Sequence, residues 1–182
     1  TYRIADAFVE EYKKINRRDE IIVLDLYKEG INFLPKGSLQ DIVRPKSHDR
    51  YHPVLRYAFQ FLEAEKFIIA APFWNLSIPA ILKAYIDYIT IAGLTFKYTE
   101  EGAVGLCQGK KAVHITSRGG YYTAGPYAEY EMGDRYLRTI FGFLGISDFK
   151  TIAAEGLDII GNNVEAIVEE AIAEAQKAAS EF

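Results

Sequence analysis

Aromatic and hydrogen-bonding side chains cluster in a segment that directly follows Phe67–Ala71, an apolar run typical of a buried strand. The segment consists of Pro72, Phe73, Trp74, Asn75 and Leu76. Proline ends strand pairing, the two aromatic rings offer flat apolar surface, and amides released near the asparagine can meet the acceptors of a heterocycle. Taken alone, such an aromatic pair is more typical of a core or an interface than of a ligand site.

A second donor-rich segment, made of Ser117, Arg118, Gly119 and Gly120, follows the apolar run Ala112–Thr116. Its glycines permit close backbone approach to a ligand, while the serine and arginine side chains supply donors for carbonyl oxygens. Ligands of open α/β sheets bind at the carboxyl ends of the strands. The two segments together therefore predict one site for a planar ring at that edge.

Alternating strand and helix patterns surround these segments and predict one α/β domain over residues 1–182 with a mostly parallel sheet. The predicted strands are Ile21–Leu24, Phe67–Ala71, Ala112–Thr116 and Phe149–Ala154. The predicted helices are Ile4–Ile15, Pro53–Leu62, Ile78–Ile91, Tyr136–Leu144 and Val164–Ala179. Ser77 is the expected cap of the third helix, and Asn162 or Asn163 that of the last. Gly30–His52 is a polar excursion, and Gly93–Tyr98 an exposed β-like one.

The first predicted element is a helix, although a doubly wound sheet normally begins with its central strand. Without that strand the sheet would be split and backbone groups on both neighbours would lie unpaired. We therefore expect that a strand and a loop before Thr1 are missing from this sequence.

Composition excludes several classes of function. The net charge of -4 comes from mixed acids and bases with no basic stripe, which argues against nucleic acid as a partner. No apolar run approaches the roughly 20 residues that span a bilayer. The only cysteine, Cys107, cannot form an internal disulfide, and no Cys/His spacing suggests a metal site, so we expect a cytoplasmic protein without a metal.

The three histidines, His48, His52 and His114, do not form a catalytic pattern. His114 lies inside a predicted strand and is expected to be a hydrogen-bonded core residue, while the other two fall in the polar excursion. None has an evident nucleophile or metal partner. We therefore predict no catalytic side chain.

Four segments resemble the FMN-dependent NADH azoreductase family, also described as NADH:quinone oxidoreductases. They are Ala71–Ala84, Ala92–Glu100, Thr116–Gly120 and Phe141–Ile146, and the resemblance covers the whole chain in order. It implies a flavodoxin-like fold, a doubly wound parallel sheet with helices on both faces. It also implies a homodimer with two active sites at its interface and a noncovalent FMN in each.

The resemblance also implies roles for particular residues. Pro72 to Leu76 match the loop that cradles the flavin ring, and Ser117 to Gly120 match the loop at its pyrimidine edge. Thr1 matches the hydroxyl residue that ends the phosphate-binding loop, the rest of which this sequence lacks. Tyr98, Tyr121, Phe141 and Phe143 are the expected substrate pocket. The alternatives are a plain structural hairpin for Tyr98, a surface position on a loop for Tyr121 and simple packing for the two phenylalanines.

The activity that the resemblance implies is transfer of hydride from NADH or NADPH through FMN to small aromatic acceptors, quinones and azo compounds, by a ping-pong mechanism. The cofactor would carry the redox chemistry. The alternative is a flavodoxin-like electron carrier without nicotinamide turnover. Such carriers are smaller and strongly acidic, whereas this chain is mildly acidic and has two excursions, Gly30–His52 and Gly93–Glu101, that could build a substrate pocket.

Overall fold

The structure is a computed structural model that describes residues 1–36 and 50–182. Its helices are α1 Tyr2–Ile15, α2 Arg56–Glu63, α3 Ala80–Ile89, α4 Gly133–Phe143 and α5 Val164–Glu181, with a short 3-10 turn at Ala128–Tyr130. Its strands are β1 Lys66–Ala70, β2 Phe96–Thr99, β3 Gly102–Gly105, β4 Lys111–Ser117 and β5 Asp148–Ala154. His48 lies outside the described residues.

Three parallel strands form the main sheet in the order β1, β4, β5, with Lys66 opposite Lys111 and Lys111 opposite Asp148. Parallel strands need crossover connections, which place helices on the faces of the sheet. Helices α1 and α5 share a core with one face, and α2, α3 and α4 share a core with the other. The predicted parallel sheet with helices on both faces is confirmed.

Strand β4 lies at the centre and is buried on both faces from Ala112 to Thr116. Val113 and Ile115 point toward α1 and α5, and Ala112 points toward the other helices. This placement explains why its sequence is almost continuously apolar rather than alternating. The strand therefore delivers Ser117 and Arg118 to the carboxyl edge from a rigid position.

The strand predicted at Ile21–Leu24 is wrong, because the segment has no regular secondary structure. An isolated strand is not stable without a neighbour to accept and donate its ladder hydrogen bonds. Within the described ranges no strand lies beside this segment, and Ile22 and Val23 are exposed. Its apolar, β-branched composition suits a strand, but a strand also requires a hydrogen-bonded neighbour.

One of the two predicted helix caps is confirmed. The Asn163 side chain accepts a hydrogen bond from the Ala166 amide at 3.2 Å and caps α5. The Ser77 prediction is wrong, since α3 begins after Pro79 and makes no side-chain cap bond. Ser77 instead pairs through its backbone with Trp74, which removes it from the helix start.

We expect Asn163→Ala to lower the free energy of unfolding by ~1 kcal/mol, because the first turn of α5 loses its side-chain acceptor. The melting temperature should fall by about 2–4 °C, and thermal denaturation followed by circular dichroism measures it. Glu170→Ala, at an exposed position of the same helix, is the control. Equal melting temperatures for Asn163→Ala and wild type would contradict the cap.

Strands β2 and β3 form an antiparallel hairpin, so the β-like excursion predicted at Gly93–Tyr98 is confirmed from Phe96 onward. Its predicted exposure is wrong for Leu94, Thr95 and Phe96, which are buried. Phe96 packs against Phe143 at the end of α4, with ring centroids 4.8 Å apart. A Cβ atom on Gly105 would lie 2.2 Å from backbone atoms of Leu144 and Gly145. The hairpin therefore docks through a close backbone contact that only glycine permits.

The structure also bears on the expectations for the cysteine, for a metal site and for membrane-spanning helices. Cys107 is completely buried, and burial raises the pKa of its thiol despite the opposing charge of Lys110. Across residues 1–36 and 50–182, no cluster of three or more His, Cys, Asp or Glu residues could hold a metal ion. Over the same ranges no helix has the length and apolar character needed to cross a bilayer.

Candidate functional site

The two donor-rich loops meet at the carboxyl edge of the sheet. The Phe73 amide donates to the Ser117 carbonyl oxygen at 3.1 Å, which joins the loop after β1 to the end of β4. The start of α1 reaches the same place, where the hydroxyl oxygens of Thr1 and Ser117 are 2.5 Å apart. The predicted convergence of the two loops on one edge is confirmed, and the structure adds the start of α1 to them.

The Trp74–Ser77 segment is a tight turn in a strained conformation. Trp74 and Ser77 exchange two backbone hydrogen bonds of 2.9 Å, and the central residues Asn75 and Leu76 have φ of 49° and 68°. A bulky leucine in the left-handed region is uncommon and must be held there by its surroundings. The Met132 amide provides one restraint by donating to the Leu76 carbonyl oxygen at 3.0 Å.

The two aromatic residues of this loop have different environments. Trp74 is 53% exposed and offers a flat apolar surface to solvent. Phe73 is half-buried, with its ring centroid 4.7 Å from that of Tyr122 and 5.5 Å from the guanidinium carbon of Arg118. Phe73 therefore packs between the two loops, and the exposed ring of Trp74 is the surface that a ligand could contact.

The Arg118 loop uses its carbonyl groups internally and leaves amides free. The carbonyl oxygens of Arg118, Gly119 and Gly120 accept from the amides of Leu157, Asp158 and Gly156 in the loop after β5. No residue in the described part of the chain accepts from the Gly119 or Gly120 amide. The loop therefore presents two backbone donors beside the Trp74 turn.

The Arg118 side chain is buried and hydrogen-bonded to other side chains, rather than free to donate to a ligand. Only 3% exposed, its guanidinium donates to Thr123 and Glu155 at 3.1 and 2.9 Å and to Glu131 at 3.2 Å. Its Nε atom is buried without a partner among the described residues. The side chain was expected to donate to a ligand carbonyl oxygen. Among the described residues, only its Nε atom lacks a protein partner, so only that atom could make such a bond.

Two acidic residues that the sequence analysis missed organise the site. Glu131 accepts from the amides of Gly133, Asp134 and Arg135 at 2.8–3.0 Å and caps α4. Glu155 accepts from Arg118, Tyr122 and Thr123, each at 2.9 Å. Glu155 is the first residue after β5. Ligands of open α/β sheets bind at the carboxyl ends of the strands, and applying this rule to β5 as well as to β1 and β4 would have identified Glu155.

Burial alone would raise the pKa of Glu155, but the Arg118 guanidinium and the Tyr122 amide hold that pKa below its usual value. The same balance applies more strongly at Asp134. Burial opposes its ionisation, yet hydrogen bonds from His114, Thr151 and Arg138 hold the pKa of Asp134 far below its usual value. His114 is thus a buried strand residue with its Nδ1 atom 2.9 Å from Asp134. This confirms the core role expected for it.

We expect acid to destabilise the wild type more than Asp134→Asn. The folded-state pKa of Asp134 is depressed, so its stabilisation is complete above the unfolded-state pKa of about 4 and disappears as the pH falls below it. Melting temperatures from pH 7 to pH 3 measure the effect, and the difference between the two proteins should shrink on acidification. Asp6→Asn, at an exposed position of α1, is the control. Parallel curves for wild type and Asp134→Asn would contradict the assignment.

The four expected pocket residues do not come together within one chain. Tyr121 is half exposed beside the Arg118 loop, and its hydroxyl oxygen accepts from Asn162 at 2.8 Å. Phe141 is 3% exposed and packs in the core, which is the packing alternative stated for it. Tyr98 and Phe143 are exposed at the far end of α4 from Gly133, roughly 15 Å away along an 11-residue helix.

The site is an open edge rather than an enclosed cavity. Two clefts, of about 300 and 430 Å³, lie elsewhere. The smaller is lined by residues that include Arg56, Tyr57 and Tyr88, and the larger lies at the amino ends of β1 and β4. A ligand at the carboxyl edge would therefore keep one side exposed unless a second molecule covers it.

The known proteins that this chain resembles agree with the geometry of the site. Its sequence matches the flavodoxin-like fold family over residues 1–179. It is 63% identical to FMN-dependent NADH:quinone oxidoreductase 2 of Clostridium acetobutylicum and 56% identical to the FMN-dependent NADH:quinone oxidoreductase of Caldicellulosiruptor saccharolyticus. Both matches cover 100% of this chain and 91% of the relative. The chain therefore belongs to the family of FMN-dependent NADH:quinone oxidoreductases.

Solved structures agree with this assignment. An azoreductase from Bacillus anthracis is 36% identical with a TM-score of 0.91, covering 100% of this chain and 91% of its own. An FMN-dependent NADH-azoreductase from the same organism, determined in complex with FMN, is 31% identical with a TM-score of 0.85, covering 98% and 89%. The resemblance drawn from four sequence segments is confirmed.

Proposed function

We propose that this protein is an FMN-dependent oxidoreductase that transfers electrons from NADH to quinones and azo compounds. The observation that carries the proposal is the meeting of the Trp74 and Arg118 loops, which leaves unpartnered backbone donors beside a half-exposed indole. The names of the relatives at 56–63% identity and of the FMN-bound neighbour support the same cofactor and substrates.

The residues at this edge fit FMN by their chemistry. A flavin ring has apolar faces and carbonyl oxygens, and the edge offers the Trp74 surface, the Gly119 and Gly120 amides and the orphaned Nε of Arg118. The phosphate fits the start of α1, where the helix dipole favours an anion and the Thr1 and Ser117 hydroxyl groups lie together. Pro72, Phe73, Asn75 and Leu76 complete the proposed ring-binding loop.

Bound FMN would supply the two-electron redox chemistry. The protein's own residues bind and orient: Phe73 and Trp74 shield apolar surface from water, and the strained Asn75–Leu76 turn fixes the amides that follow β1. Neither histidine in residues 1–36 and 50–182 is placed as a free acid or base, because His114 is buried against Asp134 and the His52 Nδ1 atom accepts from the Val54 amide. We propose that NADH and the acceptor occupy the same open edge in turn, a ping-pong order.

The open edge also favours a homodimer. Tyr98 and Phe143 are exposed but distant from Trp74 in their own chain, so they would complete a substrate pocket only on a second copy. Light scattering of the purified protein tests this part of the proposal, which predicts twice the mass of the single chain. The buried cysteine is compatible with a reducing cytoplasm, where such an enzyme would operate.

The test of the activity is NADH oxidation with menadione as the quinone and methyl red as the azo compound, each with and without added FMN. We expect turnover that requires FMN, and parallel lines in double-reciprocal plots at several acceptor concentrations. Replacing NADH with NADPH in the same assay measures the cofactor preference. FMN binding without any nicotinamide turnover would contradict the oxidoreductase and indicate the electron carrier instead.

A further inference from the structure

We propose that Glu155 is the positioning residue of the ring-binding site, because one carboxylate oxygen holds both ends of the segment that presents the free amides. Its Oε1 atom accepts from Arg118, which precedes the two glycines, and from the amides of Tyr122 and Thr123, which follow them. This inference rests on the proposed function, since it concerns the affinity of the same edge for FMN.

Glycines make such a restraint necessary. Gly119 and Gly120 have wide conformational freedom, so the direction of their amides depends on restraints from other residues. Their carbonyl oxygens accept from Asp158 and Gly156, and Glu155 holds the residues on either side of them. A binding loop fixed in advance loses less entropy when the ligand binds, and that difference appears directly in affinity. The carboxylate of Glu155 provides the anchor on both sides from the rigid end of β5.

The restraint extends to the second loop. The Tyr122 amide bonds to Glu155, and the Tyr122 ring packs against Phe73 of the loop after β1. Arg118, the other group bound by Glu155, lies against the same Phe73 ring and also reaches Glu131. Glu155 therefore sets the position of one loop directly and of the other through two contacts on one aromatic ring.

The experiment compares FMN affinity in Glu155→Ala, Glu155→Gln and wild type, by equilibrium titration at a temperature where every protein is folded. The alanine variant loses all three hydrogen bonds, and we expect about tenfold weaker FMN binding or more, equivalent to ~1.4 kcal/mol. The glutamine variant keeps a neutral acceptor oxygen for the Tyr122 and Thr123 amides. Its dissociation constant should lie between the other two.

Asp134→Asn is the control for stability. It disrupts the neighbouring hydrogen bond between Asp134 and His114, and neither of these residues bonds to the Arg118 loop within the described structure. We expect it to lower the melting temperature while leaving FMN affinity as in wild type. Hydrogen exchange of the apoprotein gives a second readout, in which the Tyr122 and Thr123 amides, which donate to Glu155, exchange faster in Glu155→Ala and at the wild-type rate in Asp134→Asn.

The outcomes distinguish a failure of the positioning role of Glu155 from a failure of the proposed function. Wild type that binds FMN together with Glu155→Ala of equal affinity overturns the positioning role and leaves the proposed function intact. Asp134→Asn that weakens FMN binding as much as Glu155→Ala also overturns it, because general destabilisation would then explain both. Wild type that does not bind FMN overturns the proposed function and the inference with it.

Discussion

Replacing Arg118 with methionine is expected to lower the free energy of unfolding by ~3–5 kcal/mol and to abolish measurable FMN binding. Methionine keeps the apolar stem but leaves the buried Glu131 and the partly buried Glu155 without their shared cation. Breaking a buried ion pair by removing one partner has this magnitude, because the remaining charges stay desolvated. Urea denaturation measures the stability, and the melting temperature should fall on the order of 10 °C.

Two companion variants sharpen this result. Arg17→Met removes an exposed arginine that donates to the Lys14 carbonyl oxygen, and it should leave stability unchanged. Adding Glu131→Gln and Glu155→Gln to Arg118→Met removes the uncompensated charges and should recover part of the lost stability. An Arg118→Met protein as stable as wild type would show that the three side chains do not form a linked charge network.

Gly105→Ala is expected to reduce stability by ~3 kcal/mol or more, at the upper end of overpacking effects. The new Cβ atom would lie 2.2 Å from backbone atoms of Leu144 and Gly145, which cannot rotate away as a side chain can. The β2–β3 hairpin must then move from the end of α4, and the exposed Tyr98 should become more susceptible to chymotrypsin. Urea denaturation and limited proteolysis measure the two effects.

The matched control for this variant is Gly142→Ala in the same part of the molecule. Nothing lies within 4 Å of a Cβ atom at Gly142, which is inside α4. Alanine is the better helix former, so the change should be neutral or stabilising by up to ~1 kcal/mol. If both alanine variants had the same stability, the close hairpin contact would not exist in solution.

The strands of the main sheet could be predicted from sequence because each packs apolar residues against helices on both faces. The apolar runs at Phe67–Ala71, Ala112–Thr116 and Phe149–Ala154 match β1, β4 and β5 to within a residue or so at each end. Ile21–Leu24 has the same composition, but no strand of the described part of the chain lies beside it. Composition reports burial and β-branching, whereas a strand also depends on a neighbour that local sequence does not specify.

The candidate site was predictable to the level of loops but not of individual side chains. Topology places the residues after parallel strands at one edge, so the meeting of the Trp74 and Arg118 loops followed from the strand predictions alone. The direction of the Arg118 side chain did not, because it depends on Glu131 and Glu155, which lie 13 and 37 residues away. An arginine beside two glycines looks like a ligand donor until its partners are known.

Trp74 offers the most direct test of the central claim, since it is the only tryptophan in the chain and is half exposed at the proposed ring-binding loop. Titration of the apoprotein with FMN, followed by tryptophan fluorescence and corrected for absorption with free tryptophan, measures contact at this edge. We expect strong quenching that saturates at one FMN per chain. Emission that falls no more than that of free tryptophan would contradict the placement of the flavin between the Trp74 and Arg118 loops.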